Sequence, residues 1–213
     1  MHAPHFQLWL IRHGETEWSR SGAHTSHTDI PLTLSGREDA IAIGEYLRGQ
    51  CFSHVMTSPL QRARETCQIA GFGDVAQTRV DISEWDYGRY EGLTTAQIRS
   101  EIPGWSIWSG DPPGGEPLAE VGMRAAKVIE ECASVGGRIA LFSHAHFLRV
   151  LAAVWVGLRP RAGRLFALHT GSVSTLGFER DNRVIEVWNH FFAPVDCDIR
   201  GFAPPPMVGQ EKD

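Results

Sequence analysis

Two short, nearly continuous apolar runs constrain this chain more than any other feature. Phe6-Gln7-Leu8-Trp9-Leu10-Ile11 leads directly into Arg12-His13-Gly14, and Ile139-Ala140-Leu141-Phe142 leads into Ser143-His144-Ala145-His146. Neither run alternates polar with apolar residues, so each reads as a strand covered on both faces. Such strands need helices on both sides of a sheet, and the segments between them have helical spacing. The expected fold is therefore α/β: a three-layer sandwich with a central, mostly parallel sheet and helices on both faces.

The remaining elements follow from periodicity and capping. Residues 14–32 are polar and glycine-containing, which predicts a loop. Ser35, with Glu38 three residues on, predicts a capped helix that continues through Ala40, Ile43 and Leu47. His54–Thr57 predicts a second strand, and Ser58-Pro59 a helix start followed by the stripe Leu60, Ala63, Cys67 and Ala70. A third strand is expected at 79–82, a short helix near 94–101, an amphipathic helix over 117–134 and another helix at roughly 146–156. Leu165–Leu168, Val173–Phe178 and Val184–Val187 predict late strands that add antiparallel members. A length of 213 residues, against roughly 150 per domain, predicts one catalytic domain over 1–192. Within it, the Gly-, Pro- and Trp-rich excursion at 83–117 is expected to cap the site. Residues 193–213, with Pro204-Pro205-Pro206, are expected to form a loose tail.

Composition excludes several classes of function. Twenty basic against 25 acidic residues give a formal net charge of -5, which argues against general nucleic-acid binding. No apolar run reaches the roughly 18 residues of a membrane span. The N-terminus carries no basic region or cleavage site of a secretory leader. Cys51, Cys67, Cys132 and Cys197 form no CxxC or zinc-like pair, and Cys67 and Cys132 fall on apolar helix stripes. A reducing, cytoplasmic setting is the expectation.

Sites in open α/β sheets form beyond the carboxyl ends of the strands. Here those ends carry Arg12-His13-Gly14-Glu15, a helix start with Arg62 one turn in, and His144-Ala145-His146. Only Lys127 and Lys212 are lysine among 20 basic residues, so the other 18 are arginine and an isolated arginine is a weak signal. Two arginines, two histidines and the free amides of a helix start, converging on one sheet edge, nevertheless describe a pocket for a phosphate dianion.

The same residues carry a resemblance. Arg12-His13-Gly14-Glu15-Thr16, Ser58-Pro59-Leu60-Gln61-Arg62-Ala63-Arg64-Glu65-Thr66, Glu84-Trp85-Asp86-Tyr87-Gly88-Arg89-Tyr90-Glu91-Gly92 and Ser143-His144-Ala145-His146-Phe147 occur in order. They resemble the four motifs of the histidine phosphatase superfamily, in its phosphoglycerate-mutase-like branch. Asp29-Ile30-Pro31-Leu32-Thr33, Gly36 and Gly115-Glu116 fit as well, and the match runs from about residue 6 to 190. The resemblance implies a metal-independent, cofactor-free phosphatase acting on a small-molecule phosphomonoester through a phosphohistidine. His13 matches the nucleophile, whose second ring nitrogen must hold its proton in a hydrogen bond, with a carbonyl near Gly14 as the expected partner. Arg12 and Arg62 match phosphate ligands, binding oxygens in a planar fork. His144 matches the second histidine, which stabilises the transferring group. Glu84 matches the general acid, a role that calls for a raised pKa supported by burial and the Trp85 indole.

Ser19 stands where many relatives carry a phosphate-contacting Asn, and Ala145 replaces a usual glycine while keeping its backbone amide. Ser19, Ala145, His146 and Trp85 are therefore expected to bind substrate or phosphate, with His24, His27, Trp105 and Trp108 lining the rest of the pocket. Trp85 also stands where mutases carry a substrate-binding arginine, and the basic insertion of mutases is missing after Gly92. The Glu84–Gly88 and Trp105–Trp108 segments are more similar to members of the bacterial acid-phosphatase and sedoheptulose-1,7-bisphosphatase types, which implies a sugar phosphate. Relatives are commonly dimers, so a homodimer is carried as an expectation although no seam is readable. Three alternatives stay open: a cofactor-dependent phosphoglycerate mutase, a metallohydrolase built on His144-x-His146, and a non-catalytic phospho-ligand binder.

Overall fold

A computed structural model describes residues 6–192. Met1–His5 and the segment 193–213, where the loose tail is expected, lie outside the described residues. One sheet of six strands has the order β3-β2-β4-β1-β5-β6. Its members are β1 (Gln7–Arg12), β2 (His54–Thr57), β3 (Ala76–Thr78), β4 (Arg138–Ser143), β5 (Val173–Glu179) and β6 (Asn182–His190). The first four pair in parallel, while β5 and β6 are antiparallel to their neighbours. The helices are α1 (Glu17–Ser21), α2 (Leu34–Leu47), α3 (Gln61–Ile69), α4 (Thr95–Glu101), α5 (Leu118–Val135) and α6 (Ala145–Trp155).

The unbroken apolar strands serve two cores. Leu8 and Leu10 of β1 face Val121, Val128 and Ile129 of α5 and Phe147 and Leu151 of α6. The intervening Trp9 and Ile11 face Ile43 and Leu47 of α2 and Cys67 of α3. Strand alternation thus sends successive side chains to opposite layers, and both layers are apolar. The three-layer expectation is met, with the late hairpin as its antiparallel edge.

Several local expectations are corrected. The helix after β2 begins at Gln61, not Ser58, because the Ser58 hydroxyl is engaged by the Leu60 amide and by His144. The helix over 34–47 is capped by Thr33, whose side chain accepts from the Gly36 amide, and not by Ser35. The expected loop 14–32 contains α1, capped by Thr16 and Ser19 reciprocally. The third strand lies at 76–78. Val80–Ile82 winds into a 3-10 turn that sends Ile82 into the core. No strand forms over 165–168, since Pro160–Leu165 is a 3-10 segment and the Leu168 carbonyl accepts from Arg12 instead.

Parallel pairing aligns the strand ends that matter. Arg12 pairs with Ser143, and both Ile11 and Thr57 pair with Phe142. The His13 amide donates to the Ser143 carbonyl at 3.1 Å and the Ser58 amide to the Phe142 carbonyl at 3.0 Å. His13, Ser58 and His144 therefore leave the sheet at one level of one edge.

Candidate active site

The turn after β1 is fixed by a close backbone approach. A Cβ on Gly14 would collide with the Gly36 carbonyl, and one on Gly36 would collide with Glu15. Only two glycines allow the loop to lie against the start of α2. The Gly14 amide donates to Thr66 Oγ1 at 3.1 Å, which ties the loop to α3. Held there, His13 places Nδ1 2.8 Å from the Gly14 carbonyl oxygen. A carbonyl only accepts, so Nδ1 carries the proton and Nε2 keeps its lone pair. Burial, with Arg62 and Arg12 nearby, holds the imidazole well below its ordinary value of 6.5. His13 is a neutral imidazole with a free nitrogen.

Beside it, Arg12 donates from Nη1 to the Leu168 carbonyl at 2.6 Å. Its Nε–H is buried and has no partner among the described residues. Burial lowers this guanidinium to about 10, which leaves it charged at neutral pH.

Arg62 lies one layer back, 1% exposed. Its Nη1 donates to the Thr28 carbonyl at 3.2 Å, and its Nη2 to the carbonyls of Thr25 at 3.1 Å and Ser26 at 3.2 Å. Its Nε donates to His144 Nδ1 at 3.1 Å. Because arginine only donates, His144 Nδ1 must accept, and its Nε2–H then donates to Ser58 Oγ at 2.7 Å. The His144 ring stands 5.2 Å from that of His13. It is kept neutral by burial and by Arg62, His13 and Arg12. The structure thus brings Arg62 and His144 to His13, but behind it. With both His144 nitrogens engaged, the expected direct hydrogen bond to a transferring group is not available in this arrangement.

Glu84 closes the other side. Its Oε1 accepts from the Trp85 amide at 3.0 Å and the Phe147 amide at 2.9 Å, and its Oε2 accepts from the His146 amide at 3.2 Å. The carboxylate therefore caps the first turn of α6, where free amides and the helix dipole favour an anion.

These groups open into a cleft of about 340 Å³ lined by Arg12, His13, Glu84, Ala145 and His146. Ser19 also lines it, although its hydroxyl donates to the Thr16 carbonyl at 2.9 Å. His24 and Trp108 form part of the far wall as expected. Trp85 does not line the cleft. It is 0% exposed, donates its indole N–H to the Glu116 carbonyl at 2.7 Å and packs edge-on against Trp108. A ring that large was bound for the core once Glu84 faced the helix start. Trp105 sits behind His24, and His27 is exposed and pairs with Asp86.

Sequence reasoning missed Tyr87, whose hydroxyl meets His146 Nδ1 at 2.6 Å, and the cleft residues Thr95 and Arg99. Tyr87 lies inside the Glu84–Gly92 motif, so its position was the available signal. His146 is held well below its ordinary value by burial first, then by Arg149, His24 and Arg12. Among the described residues, no three His, Cys, Asp or Glu side chains cluster as a metal site.

The family model of the histidine phosphatase superfamily, branch 1, matches residues 8–190. The chain belongs to that superfamily. It is a phosphatase of the phosphoglycerate-mutase-like architecture. It is 40% identical over 185 residues to an acid phosphatase of Mycobacterium tuberculosis, covering 85% of this chain and 91% of the relative. It is 33% identical over 182 residues to sedoheptulose 1,7-bisphosphatase of Saccharomyces cerevisiae, covering 70% and 67%. A solved structure from Mycobacterium tuberculosis superposes with a TM-score of 0.82 at 38% identity, covering 87% of this chain and 98% of that one. No helix among the described residues is long and apolar enough to cross a membrane.

Proposed function

We propose that this phosphatase hydrolyses phosphomonoesters of small metabolites such as sugar phosphates through a phosphohistidine on His13. The observation that carries the reading is the pairing of a neutral imidazole, its lone pair free on Nε2, with a buried Arg12 Nε–H that has no partner. A buried, unpaired guanidinium donor costs free energy unless an anion meets it. Arg12 and His13 line the same cleft, so a phosphate bound to Arg12 sits beside the nucleophile.

In the first step Nε2 attacks phosphorus, the bond to the leaving oxygen breaks, and Glu84 gives that oxygen a proton. Its Oε2 has a single amide partner and a free site for that proton, whereas Oε1 accepts from two. In the second step the Glu84 carboxylate takes a proton from water, the water oxygen bonds to phosphorus, and the N–P bond breaks. Phosphate leaves and neutral His13 returns. Arg12 binds the oxyanion directly, while Arg62 adds positive charge from behind, and this neutralisation supplies most of the rate in phosphoryl transfer.

The neutral rings of His24, His146 and Trp108, with the single hydroxyl of Tyr87 beside them, suit the hydroxyls and ring face of a sugar. The sedoheptulose bisphosphatase relative points the same way. The test is phosphate release, with EDTA present, from sugar phosphates, sugar bisphosphates, phosphoglycerates, nucleotides and p-nitrophenyl phosphate. Strong release from sugar phosphates, lost in His13→Ala, is expected. Release only from nucleotides would overturn the substrate class, and no release would favour a primed mutase or a binding protein.

A further inference from the structure

Glu91 lies in the acid-bearing motif but does not line the cleft. Its carboxylate gathers one loop around itself. Oε2 accepts from the Ser26 amide at 2.8 Å and from the Ser26 hydroxyl at 2.5 Å. Oε1 accepts from the Thr28 amide at 3.0 Å. Burial alone would raise this carboxyl, but the hydrogen bonds from Ser26 and Thr28 outweigh it and hold it below the usual range. Charge-assisted bonds of this kind fix backbone firmly.

The amides and the carbonyls of this loop face opposite partners. The amides of Ser26 and Thr28 point to Glu91, while the carbonyls of Thr25, Ser26 and Thr28 point to the Arg62 guanidinium. Four of the five guanidinium N–H groups are therefore assigned, three to this loop and Nε–H to His144. Arg62 in turn sets the His144 tautomer. The path from Glu91 to the ring beside His13 runs through hydrogen bonds and the short backbone of the 25–28 loop, and each of those bonds joins residues at least 34 apart in sequence. We infer that Glu91 is a positioning residue for phosphoryl transfer: through the 25–28 loop it holds Arg62 and His144 behind the phosphate-binding position at Arg12 and His13.

This inference rests on the phosphatase reading for its purpose, and oxyanion binding tests it without requiring turnover. Vanadate affinity is measured by calorimetry, with folding followed by thermal melting. In Glu91→Gln one oxygen becomes an NH₂ that faces a backbone N–H or the Ser26 hydroxyl, so the loop loses at least one bond. The expected result is vanadate affinity lowered at least about ten-fold in folded protein, the scale of one lost charged hydrogen bond. Ser26→Ala, which removes the hydroxyl's bond to Glu91 and the long one it accepts from the Tyr87 amide at 3.4 Å, lowers it in the same direction by less. In an Arg62→Met background, Glu91→Gln adds less than about a two-fold change, because the effect travels through Arg62. Wild-type vanadate affinity in folded Glu91→Gln would overturn the inference, as would an undiminished further loss in the Arg62→Met background. If Glu91→Gln does not fold, Ser26→Ala decides, and unchanged affinity there overturns it. Loss of vanadate binding in these variants beside a wild type that releases no phosphate would sink the catalytic reading alone.

Discussion

At Glu84 the two carboxylate oxygens have different work. Oε1 is committed to two amides, and Oε2 to one. An acid that protonates a leaving oxygen matters most when that oxygen is a poor leaving group. Glu84→Gln keeps the shape and removes the proton, so it is expected to slow release from a sugar phosphate by roughly 10²–10⁴-fold and from p-nitrophenyl phosphate much less. Steady-state rates on the two substrates check this, and equal loss on both would argue against the acid role. At this scale the sequence was informative where function needs a residue type within a short motif. Arg12, His13, Glu84, Ala145 and His146 all reach the cleft. It was uninformative where placement depends on long-range backbone carbonyls. Arg62 is drawn back by Thr25, Ser26 and Thr28, and nothing in its own motif states that. Trp85 was misplaced for a related reason, since its indole partner is a carbonyl 31 residues away.

Among the elements, the strand ends and the turns after them set the site. Parallel register brings the ends of β1, β2 and β4 level, and the apolar runs made that legible from sequence. Turn geometry was less so. The Gly14–Gly36 contact joins two segments whose closeness no local pattern reveals. Gly14→Ala is expected to push the His13 loop off α2, costing about 1–3 kcal/mol of stability, as overpacking does, and lowering kcat/KM more than ten-fold. Thermal melts and steady-state kinetics measure both, and a fully active variant would show that the loop tolerates the shift. The start of α3 was misread because Ser58 resembles a helix cap while its hydroxyl serves His144. A side chain with two available partners cannot be assigned from propensity alone.

The whole molecule carries a pH signature of its site. His13, His24, His144 and His146 are all lowered from 6.5, in each case by burial first. Between their folded values and 6.5 the unfolded chain binds more protons than the fold does, so stability rises with pH and is lost as pH falls below about 6.5. Each histidine contributes up to about 1.4 kcal/mol per pH unit in that window. The melting temperature should therefore drop steeply between pH 7 and pH 5, and a flat profile would contradict four imidazoles held neutral in the fold. Histidines held neutral in this way leave the His13 lone pair ready for chemistry, and the fold bears the cost in acid. The measurement that tests this account most directly is to trap the phosphoenzyme. Wild type is mixed with a ³²P-labelled sugar phosphate, quenched in alkali, which spares phosphohistidine, and digested. The account predicts label on the His13 peptide and neither label nor turnover in His13→Ala. Label on another residue, or turnover in that variant, would contradict it.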